Sequence, residues 1–356
     1  MKVALINDTH WGSRNDSQIF LDYFIKFYEE IFFPTLFDRK IETIVHLGDV
    51  VDRRKFINYR TLQQMRQNFF DIVQSHEIKL HIIIGNHDTA YKNSNHLNSM
   101  DCLRVSNPTC TIYEEPAEIY LDELKVLMVP WICEDNHKRT MDMISSTDAQ
   151  ILMGHLEVKG FEMNLGSKNY EGLEPGVFKK FDMAMSGHFH HKSDNGNVYY
   201  LGNPYQITWN DYKDPRGFHI FDTETRELEF IQNPFEMFHK IYYDDEATDN
   251  FETINITDYS TYENCYVKII VLKKTNPYVF DTLIETLYKI DVADITIVEN
   301  FGEDLFDFDD GEMINEAEDT MTILTKHVNT LEIDNKKDLN NLMLSLYNES
   351  LTLEII

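Results

Sequence analysis

Apolar runs alternate with amphipathic stretches through the first third of the chain. Lys2–Ile6, Glu42–Leu47 and Lys79–Ile84 are short, nearly continuous apolar runs, the pattern of strands buried on both faces. Between them, Asp16–Asp38 and Thr61–Ser75 carry aromatic and aliphatic residues at helical spacing. Strand–helix–strand alternation of this kind predicts a parallel sheet built from βαβ units. Farther along the runs shorten: Ile119–Leu121, Leu124–Val129, Gln150–Met153, Met183–Met185, Val198–Leu201 and Phe218–Asp222. Their close spacing predicts a second, more antiparallel sheet. The expected fold class is α/β, a two-sheet sandwich flanked by helices over residues 1–235.

Around Pro234 the pattern changes. Tyr266–Leu272 and Ile295–Val298 read as strands, and Pro277–Lys289 between them has helical spacing. A small α+β capping domain over 236–300 is the expectation. Residues 301–320 contain the acidic stretch Glu303–Glu312, which repels itself and reads as a linker. Residues 321–356 form the last expected part, a helical segment. There Leu339, Leu342, Met343 and Leu346 make one apolar stripe within Lys336–Glu349, suited to packing within the chain or to docking a partner.

Charge alters this picture more than composition does. The 356 residues carry a formal net charge of −29. Residues 236–356 hold 27 acidic against 8 basic side chains, a net of −19, which leaves −10 for the first 235. Nucleic-acid binding through the whole surface is excluded, because phosphate contact needs positive charge. Local contact is not. No stretch nears the roughly 20 apolar residues of a membrane helix. The amino-terminal apolar run is too short for a signal peptide, and the four cysteines are scattered. A cytoplasmic protein without membrane association is expected.

Five clusters of metal-ligand side chains then recur in order: Asp8-Thr9-His10, Gly48-Asp49, Gly85-Asn86-His87-Asp88, Gly154-His155 and Gly187-His188-Phe189-His190. Four directly follow apolar runs, which places them at the carboxyl ends of strands, where open α/β sheets build their sites. If the backbone is extended there, residues two apart point the same way, so Asp8 and His10 face one ion, and His190 offers a further nitrogen two residues after His188. Asp49 has two oxygens and suits a shared ligand. Imidazoles, carboxylates and the Asn86 amide together suit manganese, iron or zinc rather than an all-oxygen magnesium site. Two adjacent divalent ions suit hydrolysis of a phosphate ester. His46, His76 and His81 read as ordinary histidines, and His191 points away from the cluster.

This set of motifs resembles the calcineurin-like metallophosphoesterase superfamily. The resemblance implies that Asp8, His10, Asp49 and His190 hold one metal, and that Asp49, Asn86, His155 and His188 hold the other. It also implies that His87 is the catalytic histidine at the leaving oxygen, with Asp88 orienting its ring. Gly48-Asp49-Val50-Val51-Asp52-Arg53-Arg54 departs from the protein-phosphatase signature at its last position. Tyr91-Lys92-Asn93, Pro130-Trp131-Ile132-Cys133-Glu134, Gly202-Asn203-Pro204-Tyr205 and Asp214-Pro215-Arg216-Gly217-Phe218 instead resemble the SbcD-type recombination nucleases, including those of T-even-like bacteriophages. That likeness implies a manganese-dependent nuclease, a 3′-to-5′ exonuclease on duplex ends and an endonuclease on single strands. An SbcC-type ATPase would be the partner, and the assembly a homodimer within a heterotetramer that processes DNA breaks.

DNA contact would then fall to local positive charge: Arg14, Arg53, Arg54, Lys55 and Lys92 all follow ligand motifs. Tyr91 and Trp209 could stack on unpaired bases. The competing readings are a phosphoesterase or protein phosphatase acting on small or protein substrates, and a subunit whose main task is to anchor the ATPase.

Overall fold

The computed structural model describes residues 1–102, 109–164, 166–246, 257–299 and 339. The expected acidic linker, and the expected helical segment apart from Leu339, lie outside the described residues.

Two six-stranded sheets pack face to face within the compact unit Met1–Phe301. Edge to edge, the first runs Leu228–Gln232, Gly217–Asp222, Lys2–Ile6, Thr43–His46, Lys79–Ile83, Cys110–Tyr113. Alternation explains why its central strands are apolar throughout. Val3, Leu5, Val45, Leu47 and Ile83 face the second sheet, with Val126, Met128, Ile151, Met153 and Met185 opposite. Ala4, Ile6, Ile44, Leu80 and Ile82 face the helices on the other side. Little of either face meets water; the exceptions are Lys2 and Lys79 at the strand starts and half-buried His81.

The second sheet departs from expectation. Leu124–Val129, Ile151–His155, Met183–Gly187 and Val198–Tyr200 pair in parallel, and only the edge strands Ala117–Leu121 and Ser193–Asp194 are antiparallel. A parallel pair needs a crossover. The helix His137–Ser146 supplies one, and a long connection with its own hairpin at Glu162–Lys168 supplies the next. These crossovers lack the long apolar runs that make the earlier helices legible. Phe218–Asp222 also moves: it pairs antiparallel with Lys2–Ile6 in the first sheet, Val3 opposite Phe221. Cys110–Tyr113 adds an edge strand that the pattern did not predict.

The Asp16–Asp38 stretch is helical from Gln18, with a wide π-turn over Tyr28–Phe32. Its buried face is almost wholly aromatic: Phe20, Phe24, Phe27, Tyr28 and Phe32 pack with Trp11, Phe69 and Phe218. Tyr205 stacks on Phe24 with centroids 3.8 Å apart, and its hydroxyl donates to the Thr9 carbonyl at 2.5 Å. The aromatic core thereby grips the first ligand loop directly.

Residues 236–299 contain a three-stranded parallel sheet, Phe238–Asp244, Tyr266–Lys273 and Asp294–Glu299. The helix Pro277–Lys289 starts at Asn276, whose side chain accepts from the Tyr278 amide, and it buries Val279, Phe280, Leu283 and Leu287. Those four pack with Val267, Ile269 and Val271 in a cluster separate from the sandwich. The strand Phe238–Asp244 extends the expected β-α-β unit by one. Among the described residues, no helix is long and apolar enough to cross a membrane.

Tyr205→Phe removes the donor to a buried carbonyl while keeping the stacked ring. We expect a loss of about 1–3 kcal/mol, seen as a lower urea midpoint at unchanged slope. An unchanged midpoint would contradict the link between core and loop.

Candidate metal centre

Each ligand motif sits where a parallel strand ends. Asp8, Asp49 and Asn86 follow three neighbouring strands of the first sheet, while His155 and His188 end two neighbouring strands of the second. Because both sheets present carboxyl ends to one rim, the loops meet there.

The convergence is not achieved by extended alternation, as the sequence pattern suggests. Asp8, His10, Asp49 and His188 all have positive φ, at 49°, 42°, 55° and 86°. Side chains with a β-carbon rarely adopt this region, so surrounding bonds must impose it. The Asp8 amide donates to the Gly48 carbonyl at 3.0 Å, His10 to Asp49 at 3.1 Å and Trp11 to Val50 at 2.9 Å. The two loops therefore hold each other. Gly48 is required where it stands, at φ 96° with any β-carbon 2.5 Å from His155 Nδ1. A β-carbon on Gly85 would fall inside the Asp49 carboxylate.

Ligand atoms of Asp8, His10 and His190 all lie within 4.8 Å of one another, as do those of Asp49, His155 and His188. Between the groups, His10 Nε2 is 3.9 Å from Asp49 Oδ2 and 3.2 Å from His190 Nε2. His155 Nε2 lies 3.3 Å from Asp49 Oδ2 and 2.9 Å from Asn86 Oδ1. Its other ring nitrogen donates to the Leu47 carbonyl at 2.8 Å, which turns Nε2 inward. All seven predicted ligands thus come together, with Asp49 between the two groups.

Burial makes this cluster electrostatically demanding. Asp8 is fully buried and Asp49 nearly so. Burial raises the Asp8 carboxyl above its usual range. For Asp49, burial opposes ionisation, but the imidazoles of His155 and His87 outweigh it and hold the carboxyl well below that range. His10 and His188 are driven well down, by burial first and by neighbouring imidazoles second. His155 goes the other way: burial disfavours its charge, yet Asp49 and Asp8 raise it to about 9. Two buried carboxylates ringed by inward imidazole nitrogens are the donor set of a cation pair, since cations would offset the charge that burial leaves uncompensated. The residues fit two divalent metal ions.

His87 and Asp88 diverge from the expected pairing. The His87 ring is held by the Asp52 carbonyl, which accepts from Nδ1 at 2.5 Å, and the His87 amide donates to Asp49 Oδ1 at 2.7 Å. Asp88 does not orient that ring. Its carboxylate accepts the amides of Gly85 and Asp49 at Oδ2, both at 2.9 Å, and those of Val50 and Val51 at Oδ1, at 2.9 and 3.2 Å. Four backbone donors occupy it fully, so Asp88 ties the Asp49 loop to the Asn86 loop.

Other supports leave no signal in the sequence pattern alone. Arg216 donates to the His190 carbonyl, to Asn203 Oδ1 at 2.5 Å, to Asp211 at 2.6 Å and to Asp214 at 2.9 Å. His191 also bonds Asp214, at 2.9 Å, and so faces away from the cluster as expected. The Trp131 ring lies 5.0 Å from that of His188. Trp131, Asn203, Asp214 and Arg216 stand in stretches that carried the family resemblance, and they brace the rim from behind.

The expected DNA-contacting residues differ in exposure. Arg14, Lys55 and Lys92 are exposed, and Arg54 is half-buried. Arg53 pairs with Asp16, bonds Asn15 at 3.2 Å and lies over the Phe56 ring. Tyr91 is exposed, whereas Trp209 is partly buried and packs against Phe238 and the Lys268 ammonium.

The family model described as calcineurin-like phosphoesterase matches residues 1–192. The chain belongs to that family. It is a metal-dependent hydrolase of phosphate esters. It is 31% identical over 337 residues to exonuclease subunit 1 of Enterobacteria phage T4, covering 93% of each chain. It is also 23% identical to the SbcD subunit of the nuclease SbcCD from Staphylococcus saprophyticus, over 52% of this chain and 56% of that one. The resemblance read from the motifs therefore extends along nearly the whole chain.

A cation entering the site must displace the His155 proton, which is held at pH values below about 9. Apparent metal affinity should therefore weaken as pH falls from 8.5 to 6.5, by up to about tenfold per unit for one proton. Titration calorimetry with manganese checks this; a pH-independent affinity would contradict it.

Proposed function

We propose that this chain is the nuclease subunit of an SbcCD-like complex. It cuts DNA as a 3′-to-5′ exonuclease at double-stranded ends and as an endonuclease on single strands. The observation that carries this reading is Asp49 standing between two ligand groups, with His87 on the same rim, in a chain similar over 93% of its length to a phage exonuclease subunit. Asp8, His10, Asp49 and His190 are assigned to one manganese ion, and Asp49, Asn86, His155 and His188 to the other. When bound, the ions supply a nucleophilic water near neutral pH and offset charge on the phosphoryl oxygens.

The remaining work belongs to side chains. Asp49 fixes the spacing of the two groups, and the Asp88 crosslink keeps its loop from moving when substrate binds. His87 gives Nδ1 to the Asp52 carbonyl, which leaves Nε2 to hold a proton for the departing 3′-oxygen. Burial opposes a charged His87, but Asp49 and then Asp52 outweigh it and raise the ring above the usual histidine range. A protonated imidazole suits a general acid. Arg14, Arg53, Arg54, Lys55 and Lys92 are assigned to the approaching backbone, a local positive rim on an acidic protein.

In this reading residues 1–235 are the nuclease domain, 236–300 cap it, 301–320 link, and 321–356 dock the SbcC-type ATPase. The working assembly is a homodimer within a heterotetramer, in the cytoplasm of a bacterial host.

Digestion of end-labelled duplex DNA with manganese, with and without the ATPase subunit, tests the reading. His87→Asn should keep its metal content and lose on the order of 10²–10⁴-fold in cleavage rate. Full activity in that variant would remove His87 from the chemistry, and a wild-type protein that never shortens DNA would refute the nuclease assignment.

A further inference from the structure

One ligand of the cluster keeps a ring nitrogen without an acceptor. His10 is buried, and its Nε2 points inward, 3.2 Å from His190 Nε2, 3.9 Å from Asp49 Oδ2 and 4.0 Å from Asp8 Oδ1. Its Nδ1 faces the other way, is buried as well, and has no hydrogen-bond partner among the described residues. His155, by contrast, gives its outward nitrogen to the Leu47 carbonyl at 2.8 Å. A ring that lends the Nε2 lone pair to a cation carries its proton at Nδ1. With a cation in place, His10 Nδ1 is therefore a buried donor, and a buried donor needs an acceptor.

The Asp52 carboxylate stands on that side of the ring. Its Oδ1 lies 3.6 Å from His10 Nδ1, too long for a hydrogen bond and a small side-chain swing away from one. The side chain is 28% exposed, so it can swing without disturbing the core. Its main chain is tied to the His10 loop, because the Asp52 amide donates to the Trp11 carbonyl at 3.1 Å. Buried Ser13 bridges the two: its hydroxyl donates to the His10 carbonyl at 2.6 Å and sits 3.3 Å from the same Asp52 Oδ1. The His10 and His87 rings meet edge to face, with centroids 4.8 Å apart. The Asp52 carbonyl already takes His87 Nδ1 at 2.5 Å, which leaves the carboxylate for His10.

We propose that Asp52 is a positioning residue of the metal centre, whose carboxylate accepts from His10 Nδ1 and strengthens the hold of His10 on the cation beside Asp8 and His190. The inference rests on the metal assignment made above and deepens it. A carboxylate behind an imidazole fixes the tautomer, aims the inward nitrogen and makes it a stronger donor. One residue then serves two groups by different atoms: its side chain steadies a metal ligand, and its carbonyl steadies the histidine at the leaving oxygen. Geometry and charge both contribute. An amide at this position keeps an acceptor oxygen and loses the charge, so it does part of the work.

The test uses the full chain and manganese alone. Asp52→Ala keeps the carbonyl that holds His87, so it isolates the carboxylate. Calorimetry at one fixed pH should show one of the two manganese affinities weakened about 10–100-fold, with the other changed far less. Asp52→Asn should recover part of that loss. If Asp52→Ala lowers the melting point of the metal-free protein, Asp52→Asn carries the test by itself, with a smaller loss at the same ion. Cleavage of end-labelled duplex DNA supplies the second readout. The manganese needed for half-maximal rate should rise about 10–100-fold in Asp52→Ala, a larger change than any in the saturated rate. The opposite split, a lower saturated rate at unchanged manganese demand, would assign the carboxylate to His87 and overturn the proposal. Unchanged affinities in variants of a wild type that binds two ions would overturn it as well, while leaving the metal assignment intact. A wild type that binds fewer than two ions would overturn that assignment, and this role with it.

Discussion

Asp49 lies almost fully buried at the end of a central strand, and Asp8 is wholly so. Burying one carboxylate costs several kcal/mol unless something answers the charge, and burying two together costs more. Much of the rim is arranged around this fact. Imidazole nitrogens turn inward, the loops adopt left-handed backbone, and the Asp88 carboxylate spends all its acceptors on four amides that hold those loops. The arrangement is poor as a folding core and good as a cation site. The sandwich tolerates it because two all-apolar strand faces and an aromatic helix layer lie directly beneath.

The braces behind the cluster serve the same constraint. Tyr205 reaches from the aromatic layer to the Thr9 carbonyl, and Arg216 reaches from the Asp211–Asp214 turn to the His190 carbonyl. Each acts on backbone, which sets where a ligand side chain starts rather than what it touches. A rigid first loop and a rigid last loop then fix the distance between the two ligand groups. Such rigidity matters for two-ion chemistry, where small misplacements weaken positioning steeply.

How much of this was legible follows from the same physics. The central strands of the first sheet show in the sequence because burial on both faces makes them apolar throughout. The second sheet reads as antiparallel from its pattern and is mostly parallel, because its crossovers are short or irregular, and the helix His137–Ser146 among them is too polar on average to stand out. Which side chains gather at the rim was readable from residue types at strand ends. The way the ligands converge was not, since positive φ at Asp8, His10, Asp49 and His188 leaves no mark in a sequence without glycine at those positions. The role of Asp88 was hidden for a related reason: it bonds four main-chain amides, and amides carry no residue type. Arg216 and Tyr205 were visible only as parts of a family resemblance, and the hydrogen bonds supply their physical meaning.

The central claim is that these buried groups hold two cations with Asp49 shared between them. Anomalous scattering from crystals grown with manganese measures that directly. The account predicts two peaks, one among Asp8, His10 and His190, the other among Asn86, His155 and His188, each within coordinating distance of Asp49. A single peak, or two that do not share Asp49, would contradict it.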